Sequence, residues 1–444
     1  MSKRVSLLIV SGLGCLVLLA CVAALGLVGY AYYVTALAPR TVDRIAYVDN
    51  SSNIQVVDRQ GEHHVALTSD ASDTLQRIYM FPTWSPDSQK IAFVGVSGDR
   101  RQREGTLNVA PVVGGNLTTI FKSGLQLPFY LYWAPDSQRI GFLAQGETEM
   151  ALMLGHGTGQ EQARKLNAGS PMYWSWSPDS HTLLMHVGGS SHDSKDAHMA
   201  LLSWQEGNDA RNFSDQPATF QAPQFSPDGA AMLYASTGND DQDALFLADS
   251  KGANPKTALP YTGTIAFAWS PDGKKIAALV TPMDSELPMS GPITVLDADG
   301  SNPSEMITED ALAFYWSPDG KQIAYLTILL PGQSNGCLNC DRVSGLSTPS
   351  RQDTQIMLRW KTFSLDDRQV RTLATFQPTD NFISILPFFD QYARSLTFWS
   401  PDSKHFVYTQ AEGASDGSVW VADLDGGTQP HKVGDGTLAV WSWK

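Results

Sequence analysis

Four groups of residues in this 444-residue chain are of types that could do chemistry. Gly413-Ala-Ser415-Asp-Gly417 has the spacing of a nucleophile elbow, where a serine on a tight strand-to-helix turn attacks a carbonyl carbon. An elbow needs a helix after it. Ser418 to Ala422 reads as a strand, so Ser415 is expected in a hairpin loop and no catalytic residue is assigned. His192, Asp193, Asp196 and His198 are zinc-type donors clustered within seven residues, between two strands; a solvated polar loop is the expectation, and no metal is assigned. Asp297/Asp299 and Asp423/Asp425 each precede a glycine. They offer too few oxygens for a calcium loop and are expected to be turns. Cys337-Leu-Asn-Cys340 lacks the two further ligands a zinc site needs and opens no thioredoxin-like helix, so a small local disulfide is expected. No cofactor is implied.

The elements that would position such residues are written in a repeat. Trp84-Ser-Pro-Asp87 recurs as Trp133-Ala-Pro-Asp136, Trp176-Ser-Pro-Asp179, Phe225-Ser-Pro-Asp228, Trp269-Ser-Pro-Asp272, Trp316-Ser-Pro-Asp319 and Trp399-Ser-Pro-Asp402. Neighbouring copies lie 43 to 49 residues apart, except for a last interval of 83. Each copy is followed by Ser or Gly and then a short apolar strand such as KIAFVG or RIGFLA. Ser at the first turn position, Pro presetting φ at the second and a Gly-type exit make a tight turn. A period in the forties built of strands and turns marks a β-propeller of four-stranded blades. One bulky aromatic at the same place in every repeat reads as packing between blades. The 37 glycines and 25 prolines suit many short strands joined by turns.

The ends of the chain complement each other. Arg44–Asp49, Asn53–Asp58 and His64–Thr68 read as the last three strands of a blade, and Leu438–Lys444 as an innermost strand with nothing after it. Pairing them completes a composite blade and removes open edges. The expected architecture is all-β, with eight four-stranded blades over residues 43–444. The 83-residue interval is expected to hold insertions at about 331–353 and 378–394.

These repeats resemble the TolB-type, WD40-like propeller family, related to the propeller domains of prolyl oligopeptidases and dipeptidyl peptidases. The resemblance covers about residues 43 to 444. It implies a propeller outside the cytoplasm that binds protein partners. TolB itself is six-bladed and carries a small α/β domain, which this chain replaces with an apolar segment. The peptidase relatives carry a hydrolase domain, for which the repeats leave no room.

That apolar segment runs without a charge from Val5 to Pro39, after Lys3 and Arg4. It exceeds the ~20 residues that a spanning helix needs and the ~15 of a cleaved signal's apolar region. Leu18-Leu19-Ala20-Cys21 loosely matches a lipobox, but the apolar run continues past it. An uncleaved anchor is taken: tail 1–4 inside, transmembrane helix 5–35, linker 36–42 and the propeller outside the cell membrane, single-pass. A net charge of −14 without a basic stripe excludes nucleic acid as the partner.

The starts of the innermost strands carry Tyr79, Phe81, Phe129, Tyr130, Met172, Tyr173, Phe220 and Gln221, and the second insertion adds Phe388, Phe389, Asp390, Tyr392 and Arg394. If both lie at one end of the central channel, they form an aromatic mouth suited to protein contacts. The functional expectation is a binding scaffold for a protein or extracellular ligand, without catalysis. The alternative is an enzyme on the propeller face, or an accessory subunit of an envelope transporter or hydrolase complex.

Overall fold

The computed structural model describes residues 43–444 apart from 73, 75, 100–101, 190–196, 206–209, 215–216, 219–220, 239–241, 286, 288, 330–355, 414 and 425–428. Each turn phrase closes a hairpin. In the first blade the inner strand Ile78–Trp84 pairs with Lys90–Ser97, which pairs with Glu104–Pro111, which pairs with Thr118–Ser123, all antiparallel. Five further four-stranded sheets repeat this order, with inner strands Leu127–Trp133, Met172–Trp176, Gln224–Phe225, Thr264–Trp269 and Ala313–Trp316. Second strands are buried on both faces, as Ile91, Ala92, Phe93 and Val94 show with no exposure, which is why they read as unbroken apolar runs. All inner strands run the same way. One end of the propeller is therefore a turn face, carrying the Ser-Pro-Asp phrases, and the other a loop face, carrying the longer connections.

The phrase is a self-contained hydrogen-bonded unit. The serine hydroxyl donates to the aspartate two residues on, at 2.5–2.7 Å, in the six copies that have a serine. The residue after the aspartate is left-handed in all seven: Gly229, Gly273 and Gly320 at φ 69–72°, and Ser88, Ser137, Ser180 and Ser403 at φ 59–66°. Serine tolerates that strain because it also works between sheets. The Ser137, Ser180 and Ser403 hydroxyls accept the backbone N–H of Asp87, Asp136 and Asp319 in the neighbouring phrase. The phrase tryptophans are at most 8 % exposed. Their indole N–H groups bridge blades by donating to the carbonyl just before the preceding phrase: Trp133 to Thr83, Trp176 to Tyr132, Trp316 to Ala268 and Trp399 to Tyr315, at 3.1–3.2 Å. Trp84 reaches Val440 in the same manner across the closure.

The propeller has seven sheets, which corrects the expectation of eight. Six have four strands. The seventh has six, because one eleven-residue strand, His431–Trp441, belongs to both of its halves. Its first half pairs with Gly417–Asp423, and its second half pairs with Arg44–Asp49, Ile45 opposite Trp441 and Val48 opposite Leu438. Head and tail of the chain do meet, but inside a shared sheet. Glycine lets the strand pass without a break: a Cβ on Gly434 would lie 2.9 Å from the Tyr47 ring, and one on Gly436 would overlap the Val48 carbonyl.

The expected transmembrane helix is not supported either. It falls on residues outside the described ones, and no helix among the described residues is long and apolar enough to cross a membrane. The insertion at 331–353, with Cys337 and Cys340, also lies outside them. The second insertion is helical: α1 (Asp380–Ile385), a 3-10 turn (Leu386–Phe388) and α2 (Phe389–Tyr392). Thr379 caps α1 by accepting the Phe382 N–H.

Candidate functional site

The helical insertion enters the central channel from the loop face, where the expected mouth residues are, and binds to the inner strands. Gln391, 1 % exposed, is the fastener. Its amide donates to the Tyr130 hydroxyl (2.6 Å) and to the Trp174 carbonyl (3.1 Å), and its side-chain oxygen accepts the Trp174 N–H (3.1 Å). The Tyr130 hydroxyl donates in turn to the Gln391 carbonyl (2.9 Å). Tyr392 meets the Tyr130 ring edge-on at 5.0 Å and lies 6.3 Å from Phe81, while Phe389 packs on Phe314 at 5.6 Å. Ala222 donates its N–H to Asp390 (2.9 Å) and accepts from the Arg394 guanidinium (2.7 Å). The insertion is thus tied to inner segments of the first, second, third, fourth and sixth sheets.

The structure therefore brings Phe81, Tyr130, Tyr173, Phe389, Asp390, Tyr392 and Arg394 together, with a different consequence from an open mouth. Most of them are used up in holding the plug. Burial pushes the Tyr130 and Tyr392 phenols upward, and burial followed by the Asp390 charge does the same to Tyr173. Tyr79 stands apart: its hydroxyl donates to Asp70 (2.8 Å), its ring packs on Phe93, and burial raises its pKa to about 12. Met172 is buried. Phe81 and Phe129 line a groove of about 560 Å³ between the first and second sheets on the loop face. Phe388, at the end of the 3-10 turn between α1 and α2, is exposed. Phe220 lies outside the described residues.

Gln221 is buried beside His186, an interior imidazole 3.2 Å from the Gln221 carbonyl that sequence reading passed over. Burial lowers its pKa to about 4, with His198 adding to the effect. The unfolded chain takes up this proton near pH 6.5, the native one only near 4. Stability from this group is complete above pH 6.5 and is lost as pH falls toward 4, by about 3 kcal/mol. Urea midpoints measured from pH 7.5 to 4.5 are expected to fall, and to fall less in His186→Gln. Equal slopes would reject the assignment.

Of the remaining sequence candidates, Ser415 and the Asp297/Asp299 pair lie in a hairpin connection and a turn, while Asp425 lies outside the described residues. Ser415 sits between the hairpin strands His405–Ala411 and Gly417–Asp423, with a strand where an elbow needs a helix. Asp297 pairs with Lys275 (2.6 Å) and Asp299 accepts from Ser301 in a tight turn. Of the histidine–aspartate cluster only His198 is described; it begins the strand His198–Ser203.

Beyond α2, toward the turn face, the channel holds a cavity of about 320 Å³. Its walls include Phe314, Trp269, Trp316 and Trp399, and α2 with its continuation supplies Asp390 and Arg394. Burial raises the Asp390 pKa against the pull of Arg394, and burial lowers that of Arg394. Sequence reading named both residues but placed them at the opposite mouth. It missed Gln391, whose only signal was a helix-like stretch among strands.

No family model and no curated protein matches the chain. Solved structures do. An oligogalacturonate lyase in complex with manganese is 12% identical, with 85% of this chain and 95% of that one covered and a TM-score of 0.51. The oligogalacturonate lyase of Vibrio parahaemolyticus is also 12% identical, with 86% and 97% covered and a TM-score of 0.50. TolB from Acinetobacter baumannii is 14% identical over 84% and 74% of the two chains, with a TM-score of 0.37, at which likeness carries no argument. At these identities the likeness does not extend to activity. What the chain shares with these structural neighbours is its architecture: it is a β-propeller built from four-stranded blades.

Proposed function

We propose that this protein is a binding scaffold that engages a protein partner through the loop face of its propeller, and that residues 5–35 anchor it in the cell membrane with the propeller on the extracytoplasmic side. One observation carries the binding half. Of the ten exposed large apolar side chains among the described residues, seven (Ile78, Leu125, Met283, Met289, Ile356, Ile383 and Phe388) belong to the loop face. Single exposed apolar residues are ordinary, but their concentration on one face around the helical plug is what a protein interface needs. The anchor rests on the uncharged run from Val5 to Pro39.

The test uses the full chain, cross-linked in its own membranes after an alkaline wash, beside the triple variant Leu125→Asp, Met283→Asp, Phe388→Asp. These side chains are exposed, so folding is expected to be unchanged. The parent should retain its partner at least ~10-fold better than the variant, since apolar contacts at an interface centre are worth more than a kcal/mol each. Equal recovery would remove the loop face from the proposal, and loss of the chain in the wash would remove the anchor.

A further inference from the structure

The cavity on the turn-face side of the plug is lined by two opposite charges, Asp390 and Arg394, which also tie the plug to Ala222. Asp390 and Arg394 are four residues apart, both line the cavity, and no ion pair joins them among the described residues. Each is held by the backbone instead. Asp390 accepts from Ala222 and from its neighbour Gln391, while Arg394 donates from Nε to the Asp390 carbonyl and from Nη2 to the Ala222 carbonyl. Arg394 Nη1 has no partner among the described residues. The two charges are part-buried and draw on each other through space, with no ion pair between them, which leaves each able to accept a counter-charge from a ligand. Burial pushes both groups toward their neutral forms. A ligand that brought a counter-charge to each would reverse that. Around them the walls are aromatic, from Trp269, Phe314, Trp316 and Trp399, and the volume of about 320 Å³ is at the lower end of what small-molecule sites offer.

We propose that this cavity binds a small zwitterion with an apolar body, of the α-amino acid class: its carboxylate toward the Arg394 guanidinium, its ammonium toward the Asp390 carboxylate, its side chain against the indole wall. A guanidinium recognises a carboxylate through parallel N–H donors, and an ammonium flanked by a carboxylate and aromatic faces gains from both. A simple carboxylate would leave Asp390 uncompensated, and a simple amine would meet Arg394. The site lies on the far side of the plug from the proposed partner face, so either can fail without the other.

The experiment is calorimetric titration of the full chain in detergent with three probes of like shape: L-phenylalanine, phenethylamine (no carboxylate) and N-acetyl-L-phenylalanine (no ammonium). L-phenylalanine is expected to bind at least ~10-fold more tightly than either, because each missing group leaves one part-buried charge without its counter-charge. Arg394→Gln should erase its advantage over phenethylamine, and Asp390→Asn its advantage over N-acetyl-L-phenylalanine. The Leu125→Asp, Met283→Asp, Phe388→Asp variant should bind as the parent does. Equal affinity for the three probes, no heat with any at millimolar concentration, or unchanged discrimination in folded Arg394→Gln and Asp390→Asn would overturn the proposal. The probe series on the parent chain decides even where a variant does not fold.

Discussion

Removing residues 438–444 is expected to abolish cooperative folding of the propeller. Those seven residues include Leu438–Trp441, the last four of the eleven residues in the strand that joins the chain's two ends. Leu438, Ala439, Val440 and Trp441 are at most 1 % exposed and pair with Ile45 to Val48. The same tail also holds the first blade: Trp84 donates its indole N–H to Val440, Trp443 donates to the Trp84 carbonyl, and the Lys444 N–H reaches the Ser88 hydroxyl. Without it, Arg44–Asp49 becomes an open edge and the ring loses its seam. Trp441→Ala, which keeps the backbone ladder but empties a buried indole site, should cost about 3–5 kcal/mol. Urea titration followed by tryptophan fluorescence measures both. A truncated chain that unfolds at the full-length midpoint would show that the seam is dispensable.

Gln391→Leu should be the most damaging polar-to-apolar change in the channel. Leucine fits the space but leaves the Trp174 N–H and carbonyl without their side-chain partner, in a place water does not reach. Each buried group so orphaned costs about 1–3 kcal/mol, so a loss of about 3 kcal/mol or more is expected. The plug should also loosen, which limited proteolysis within residues 378–394 would register as faster cleavage. Tyr130→Phe, which removes one hydroxyl from the same network, should cost less, about 1 kcal/mol. A Gln391→Leu protein within about 0.5 kcal/mol of the parent would mean that the plug is held by its aromatic contacts alone.

The repeat was legible because it is local. Ser, Pro, Asp and a left-handed fourth residue form their turn within four positions, and the tryptophan ahead of them is buried wherever that turn closes a blade. The fourth repeat shows the limit of that logic. Pro223 cannot donate to a ladder, so its inner strand is only Gln224–Phe225, although the phrase itself is intact.

By itself, then, the sequence determined the blade unit, the meeting of head and tail, and the candidates Asp390 and Arg394. The tertiary structure alone decided how many sheets there are, and which end of the channel those two charges face. The sheet count depends on whether His431–Trp441 breaks or runs on past Tyr47, a matter of how closely glycines let two backbones approach. The plug depends on one glutamine finding Tyr130 and Trp174, 261 and 217 residues away. Turn chemistry acts over neighbouring residues and is written in their order. Strand continuity and buried amide pairing act through space, and no spacing along the chain records them.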